Sequence, residues 1–218
     1  MPVGSVGLEE WAQYEGQPFR RVGSGFFFSL ANGEIAGATT SHSVSIGNAS
    51  RPLERIALGI AGHAEFVAEF DTMRGQPGRR LKPENLTKDY LLLYVDLPIA
   101  LNLVLEPDPR GTPQPGERVS LYSGLGDGQG GPHVLEGTVQ SVDEKAVWIL
   151  MDDWFNPGSM SGSPFISQHT GKVVGMVVVG SPRLGRLLIG AHPIGSLVDL
   201  AESASEFPKL REATQQSE

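Results

Sequence analysis

The sequence predicts an all-β fold made of two β units, each of them a sandwich or a barrel. Ten short apolar runs recur along the chain and are separated by clusters of Gly, Pro, Asn and Asp, a pattern typical of short strands joined by tight turns. The 218 residues include 28 Gly and 16 Pro, so turns must be frequent. A proline-rich segment at 106–117 lies near the midpoint, with similar numbers of predicted strands on either side.

Each predicted strand is an apolar or alternating run that ends at turn residues. In chain order the strands are predicted at 26–30, 35–38, 56–60, 65–70, 90–95, 119–122, 134–142, 147–151, 173–179 and 187–191.

Three further signals divide the chain. Prolines withhold backbone donors from a strand ladder and stiffen the chain, so the proline-rich segment is predicted to be a linker. Residues 8–11 are predicted to form a short leading turn, and Ser196 and Asp199 have the spacing of a capping box, which predicts a helix start. The predicted division is a lead segment at 1–19, a first β unit at 20–105, a linker at 106–117, a second β unit at 118–195 and a C-terminal helix and tail at 196–218.

Composition excludes several classes of protein. Hydrophobic residues make up 39% and charged residues 19% of the chain, which is enough apolar material for a substantial core. The net charge of −8 argues against a nucleic acid or an anionic membrane as a partner. No run approaches the roughly 18 apolar residues of a membrane-spanning helix.

The absence of cysteine excludes a disulfide framework, a zinc–thiolate site and a cysteine nucleophile. It fits a reducing compartment, and the first 25 residues show no signal-peptide pattern, so a cytoplasmic location is predicted, with an exported mature protein as the alternative. His63, His133 and His169 lack spaced His, Asp or Glu partners, so neither a metal nor another cofactor is predicted.

The segment 156–164, NPGSMSGSP, is the strongest candidate for chemistry. A hydroxyl becomes a useful nucleophile only with a base at hydrogen-bond distance and with donors for the oxyanion. Small residues around it allow a tight turn in which amide groups converge. Because such turns are also common in loops without a catalytic role, the segment indicates a nucleophile only if companion motifs with a base and an acid occur elsewhere in the chain.

Those companions are present, in a fixed order: GSGF at 23–26, TTSH at 39–42, DYLLLYV at 89–95, and GKVVGMVVVGS at 171–181. Together with the segment 156–164 they resemble the motifs of chymotrypsin-like (trypsin-fold) serine peptidases, and most closely the cysteine-free bacterial and HtrA-type branch. The resemblance covers about residues 20–195. It implies two six-stranded antiparallel β-barrels with a short C-terminal helix, and a polypeptide substrate.

The resemblance also implies a catalytic triad. Ser161 would be the nucleophile, His42 the general base and Asp89 the carboxylate that orients the imidazole. Asp96 is the competing acid, but Asp89 begins its predicted strand, as the family's carboxylate does, whereas Asp96 follows the strand's far end.

The backbone amides of Ser159 and Ser161 would form the oxyanion hole. Here the sequence departs from the family, which usually has Gly at the position of Ser159. A non-glycine residue is expected to resist the backbone geometry that aims this amide, which leaves open a hole that works poorly or forms only with substrate. Met160 replaces the Asp of zymogen-activated members, so activation by N-terminal cleavage is not expected.

The same resemblance predicts where substrate binds. Residues Val178, Val179 and Gly180 would align the substrate backbone, while Phe155 and Ile189 would join Val178 in an apolar pocket. Preference for a small or medium aliphatic residue on the acyl side follows. His192 either tunes this pocket or is a structural imidazole. The alternative to an active endopeptidase is a catalytically weak or inactive binding module that keeps the protease fold.

Overall fold

The computed structural model describes residues 1–2, 4–46, 49–79, 85–126, 131, 133–183 and 185–213. Within this part of the chain, 13 strands form two barrels, followed by two short α-helices. The predicted all-β architecture with a short C-terminal helix is confirmed.

The first barrel is an antiparallel sheet whose two ends meet through an irregular segment. Its strand order is β5-β4-β1-β2-β3-β6, with β7 parallel to β2. The segment after β5 closes the sheet onto β6, where Met73 bridges Leu93 and the Arg74 amide donates to the Leu92 carbonyl at 2.8 Å. Its strands are β1 (Leu8–Tyr14), β2 (Arg20–Ser29), β3 (Ile35–Thr39), β4 (Leu53–Gly59), β5 (Phe66–Phe70), β6 (Leu91–Tyr94) and β7 (Val104–Leu105).

The second barrel is a closed ring in the order β10-β13-β12-β11-β8-β9. All neighbouring strands in it are antiparallel. It is followed by α1 (Ile194–Ser203) and α2 (Leu210–Ala213). Its strands are β8 (Arg118–Ser123), β9 (His133–Val142), β10 (Val147–Met151), β11 (Pro164–Ser167), β12 (Val173–Arg183) and β13 (Arg186–Pro193).

The run Phe26-Phe27-Phe28 in β2 shows why the barrels stay together. All three rings are fully buried, although successive residues of a strand point to opposite faces. Phe27 packs inside the first barrel, whereas Phe26 and Phe28 join a second cluster that includes Met176 of the second barrel and Leu197 of α1. A continuous apolar run is expected where both faces of a strand are covered, and here the second face is the interface between the barrels.

Three details differ from the sequence-based expectation. Residues 8–11, expected to form a turn, belong to β1, so the first barrel begins before residue 20. The capping box at Ser196 and Asp199 does not form, because α1 begins at Ile194 with Pro193 as its N-cap and no side-chain cap bond. The strand β11 was not predicted, because it is only four residues long.

The proline-rich segment is docked against the second barrel. Pro107 bridges Val173, and the Arg110 guanidinium donates to the carboxylates of Asp108 and Glu117 at 2.6–3.0 Å. Because the Asp108 side chain is fully buried, these bonds satisfy a carboxylate that would otherwise be costly to bury.

Among the described residues, no helix has the length and apolar character needed to span a membrane. The same residues contain no group of three or more His, Asp or Glu side chains arranged to hold a metal ion.

Candidate active site

The sheet register of the first barrel brings His42 next to Asp89. In the antiparallel pair of β3 and β6, Thr39 lies opposite Leu91, so the residues just beyond β3 meet those just before β6. His42 occupies a turn after β3, and Asp89 ends a one-turn 3₁₀ helix at Leu86–Lys88. Two residues far apart in sequence therefore become neighbours through ordinary strand pairing.

Ser161 of the second barrel completes a hydrogen-bonded chain with this pair. His42 Nδ1 lies 2.7 Å from Asp89 Oδ2, and His42 Nε2 lies 3.0 Å from Ser161 Oγ. A carboxylate only accepts hydrogen bonds, so Nδ1 carries the proton and Nε2 is left as an acceptor for the serine hydroxyl. This tautomer is the one in which the imidazole is able to remove a proton from Ser161.

Asp89 is held rigidly in place. Its side chain is fully buried, and Oδ1 accepts hydrogen bonds from the Ser41 hydroxyl at 2.9 Å and from the His42 amide at 3.1 Å. Burial alone would raise the pKa of Asp89, but the hydrogen bonds from His42 and Ser41 outweigh burial and hold the pKa below its ordinary value. The carboxylate is therefore ionised at neutral pH and orients the imidazole.

The turn before Ser161 has the geometry of a type II β-turn. The Met160 amide donates to the Pro157 carbonyl at 3.1 Å, and Ser159, the third residue of this turn, has φ +63°. Positive φ at the third position separates type II turns from type I turns, in which the middle peptide is reversed. A serine in this conformation carries a strain of about 1–3 kcal/mol, so the resistance expected of a non-glycine residue is overcome by its surroundings.

The type II geometry leaves two backbone donors available beside the serine hydroxyl. In a helical turn the carbonyl of Gly158 would accept the amide of Ser161, since the bond joins residues three apart. Neither the Ser159 amide nor the Ser161 amide donates to any described residue. Two N–H groups without a described acceptor, close to the Ser161 hydroxyl, form an arrangement suited to an oxyanion.

Ser24 of β2, in the first barrel, forms hydrogen bonds directly with this loop. The Ser24 amide donates to the Ser161 carbonyl at 2.9 Å, and the Ser24 hydroxyl donates to the Ser159 carbonyl at 3.0 Å. Gly162 is required for this approach, because a Cβ on it would lie 1.8 Å from the Ser24 carbonyl oxygen. Ser24 thus fixes the peptides on both sides of the Met160–Ser161 bond.

The five residues predicted to bind substrate fall into two groups. Val179 and Gly180 are half-buried and follow Val178, whose carbonyl lies 3.4 Å from Ser161 Oγ. The side chains of Val178 and Ile189 are buried in core clusters, so they are not able to contact a bound molecule in this conformation. Phe155 is half-buried and packs against the same core as Ile189.

The space in front of Gly180 is narrow. A Cβ built on Gly180 would lie 2.8 Å from Pro157 Cγ and 3.3 Å from Ile189 Cδ1. Pro157 therefore packs on the strand that leads away from Ser161.

The remaining candidates lie outside the hydrogen-bonded chain. Asp96, the competing acid, is exposed after β6, and Asp152 forms an ion pair with Arg118. His192 is fully buried and stacks on Tyr90 with ring centroids 5.9 Å apart. Burial lowers the pKa of His192 to about 3, so it is a neutral structural imidazole.

Two site residues were missed from sequence. Ser41 donates to Asp89 and Ser24 anchors the nucleophile loop, although both lie within motifs singled out for other reasons, TTSH and GSGF. The position of Ser41 beside His42 was the available signal. No sequence pattern indicated the contact of Ser24, because it joins residues 135 positions apart.

No protein-family model matches the sequence, and no curated protein matches it significantly. Solved structures do match. A thermostable serine protease, AL20, from an extremophilic microorganism shares 12% identity and a TM-score of 0.62, with 93% of this chain and 98% of that chain covered. Human heparin binding protein shares 16% identity and a TM-score of 0.64, with 94% and 93% covered.

A serine endoprotease from Yersinia pestis also matches, with 16% identity and a TM-score of 0.58 over 93% of this chain and 65% of that chain. At such low identity the likeness shows the fold alone. The chain has the two-barrel fold of the chymotrypsin-like serine proteases.

Proposed function

We propose that the protein is a serine endopeptidase that hydrolyses peptide bonds through Ser161, His42 and Asp89. One observation carries the proposal: an imidazole 3.0 Å from the Ser161 hydroxyl is bonded on its other nitrogen, at 2.7 Å, to a fully buried carboxylate. A surface serine and histidine that meet by chance have no reason to share a buried, hydrogen-bonded acid.

The first half of the reaction forms an acyl-enzyme. Ser161 Oγ attacks the peptide carbonyl carbon while His42 Nε2 takes the hydroxyl proton, and Asp89 stabilises the imidazolium that results. The tetrahedral intermediate then collapses. The C–N bond breaks, and His42 returns the proton to the departing amine.

The second half repeats these steps with water. His42 removes a proton from a water molecule, whose oxygen attacks the acyl carbon, and the ester bond to Ser161 breaks as Oγ regains its proton. In both halves the negative oxygen would accept hydrogen bonds from the amides of Ser159 and Ser161. Such donors are worth roughly 100- to 1,000-fold in kcat each.

The proposed specificity is a small or medium aliphatic residue on the acyl side of the cut bond. The residue whose carbonyl is attacked would lie beside Val178, between Gly180 and Pro157. Pro157 packs on Gly180 there, and this crowding favours alanine or valine over aromatic side chains. Phe155, the half-buried member of the predicted pocket, offers no carboxylate to attract lysine or arginine.

Hydrolysis of a peptide library tests the activity and its specificity together. We expect cleavage after alanine and valine, loss of cleavage in Ser161→Ala, and retention in Ser203→Ala, which alters an exposed serine of α1. Cleavage that persists in Ser161→Ala would contradict the proposal. Pro157→Gly should relieve the crowding at Gly180 and raise kcat/KM for phenylalanine relative to alanine.

A binding module that keeps the protease fold is the second candidate. The crowding of Pro157 on Gly180 favours it, and one similar structure is named for binding heparin. Such a protein would bind peptide equally well with Ser161 or with alanine there, and it would release no product. Product release therefore separates the two candidates.

A further inference from the structure

A cleft of about 780 Å³ lies on the outer face of the second barrel. Its apolar floor consists of Trp148, Leu150 and Leu188, which are half-buried. Arg183 and Arg186 line one end, where they lie opposite each other in the β12–β13 pair. An apolar floor beside two cations suits a ligand that has an apolar part and an acidic part.

The cleft continues the strand that passes Ser161. The Val178 carbonyl lies beside Ser161 Oγ, and Val179 packs in a cluster with Trp148. Ser181 and Arg183, further along β12, then line the cleft. The strand segment 178–183 therefore begins beside Ser161 and ends in the cleft.

One edge of this segment is available for pairing. β12 pairs with β13 as far as Arg183, whereas its pairing with β11 ends at Met176. Among the described residues, none donates to or accepts from the backbone of 179–183 on the β11 side. An unpaired strand edge is a template for an added peptide strand.

Strand geometry sets which substrate residues reach the cleft. The residue before the cut bond lies beside Val178, and an antiparallel peptide advances one residue for each residue of β12. The fourth residue before the cut bond then lies opposite Ser181 and the sixth opposite Arg183. Directly opposite side chains share a face of the sheet, so both residues point into the cleft.

The charges at the far end favour an acid. Arg186 lies 3.7 Å from Asp152, which is also paired with Arg118 at 2.5 Å. Arg183 lies opposite Arg186 on the neighbouring strand, so two arginines meet at this end of the cleft in a protein whose net charge is −8. A basic group at this end would be repelled.

We propose that this cleft is an extended acyl-side subsite that selects peptides with an apolar residue four positions before the cut bond and an acidic residue six positions before it. The proposal rests on the proposed peptidase function for its register. Binding itself requires only the strand edge and the cleft, so it is measurable without catalysis.

The experiment uses the Ser161→Ala protein and fluorescent peptides that differ only at the sixth position, with glutamate, glutamine or lysine there. Fluorescence anisotropy gives Kd. We expect glutamate to bind roughly three- to tenfold more tightly than glutamine, because two solvent-screened ion pairs are involved, and lysine to bind most weakly. The preference should shrink at high salt.

Two variants locate the effect. Arg183→Ala combined with Arg186→Ala should equalise glutamate and glutamine, while Arg55→Ala, which removes an exposed arginine of the first barrel, should leave the preference intact. Equal Kd values for glutamate and glutamine, no binding of any peptide, or a preference that survives the double variant would each overturn the subsite.

Hydrolysis by the wild-type protein separates this proposal from the proposed function. Acid-dependent binding without any cleavage would leave the subsite standing and remove the peptidase. Cleavage that does not depend on the sixth residue before the cut bond would support the peptidase and overturn the subsite.

Discussion

The two barrels hold their halves of the site in different ways. The first barrel presents His42 and Asp89 on adjacent strand ends, with the acid fixed by three hydrogen bonds. The second presents Ser161 on a turn that contains a strained serine. His42 and Asp89 are therefore positioned by one barrel's own strands, whereas the loop that carries Ser161 depends on a bond from the other barrel.

Their interiors differ as well. The second barrel is a closed ring around an apolar cluster. The first is closed by an irregular segment, and its strand β1 carries Glu10, which is fully buried. Neither carboxyl oxygen of Glu10 has a hydrogen-bond partner among the described residues. A polar group in such a position makes the first barrel sensitive to pH.

The largest expected effect tests the acid of the first barrel. Asp89→Asn should lower kcat by roughly 10,000-fold, because an amide no longer holds the imidazole in the tautomer that accepts the Ser161 proton. The measurement is kcat on a peptide that the wild-type protein cleaves. Asp96→Asn, an exposed carboxylate seven positions on, is the matched control and should leave kcat unchanged; the opposite pattern would assign the acid to Asp96.

The second-largest expected effect is the change that Glu10 causes in the free energy of unfolding as pH rises. Burial raises its pKa from 4.5 to about 8, so between these pH values the folded protein binds a proton that the unfolded chain has lost. This contribution to the free energy of unfolding is complete below pH 4.5 and is lost as pH rises through 8, by about 5 kcal/mol.

Glu10→Gln removes this titration, since an amide carries no ionisable proton. The free energy of unfolding of the variant, measured by urea denaturation from pH 5 to pH 9, should fall less steeply with pH than that of the wild-type protein. Parallel pH profiles for the two proteins would show that Glu10 does not titrate in this range.

The smallest expected effect tests the bond between the barrels. Ser24→Ala removes the hydroxyl that anchors the Ser159 carbonyl, and the loss of a hydrogen bond of about 1 kcal/mol should lower kcat roughly fivefold with little change in KM. Ser120→Ala is the matched control, because Ser120 is equally buried but bonds Glu136 away from the loop. Equal losses in both variants would mean that the effect is a general one of buried hydroxyls.

The same residues explain what the sequence could and could not predict. The run Phe26-Phe27-Phe28 identified β2 because both of its faces are buried. Strand β1 was missed because one of its inward positions is Glu10, which breaks the apolar alternation that marks a strand. Glu10, the residue that obscures the strand pattern, is also the one from which we expect a pH-dependent stability of the first barrel.

The candidate site was partly predictable for a similar reason. Motif order placed His42, Asp89 and Ser161 in one proposal, and strand register explains why the first two meet. The turn at Ser159 was not predictable, since its left-handed conformation opposes the preference of a serine and is maintained by contacts with another barrel. The burial of Ile189 was likewise not predictable, because sequence alone does not show that an apolar strand residue faces the core.

Covalent labelling of Ser161 tests the central claim most directly. The protein is incubated at pH 8 with phenylmethylsulfonyl fluoride, a sulfonyl fluoride that reacts with activated serines, and the modified peptide is identified by mass spectrometry. We predict one label, on Ser161, that disappears in His42→Ala. A folded wild-type protein that remains unlabelled, or a label on Ser161 that persists without His42, would contradict the account.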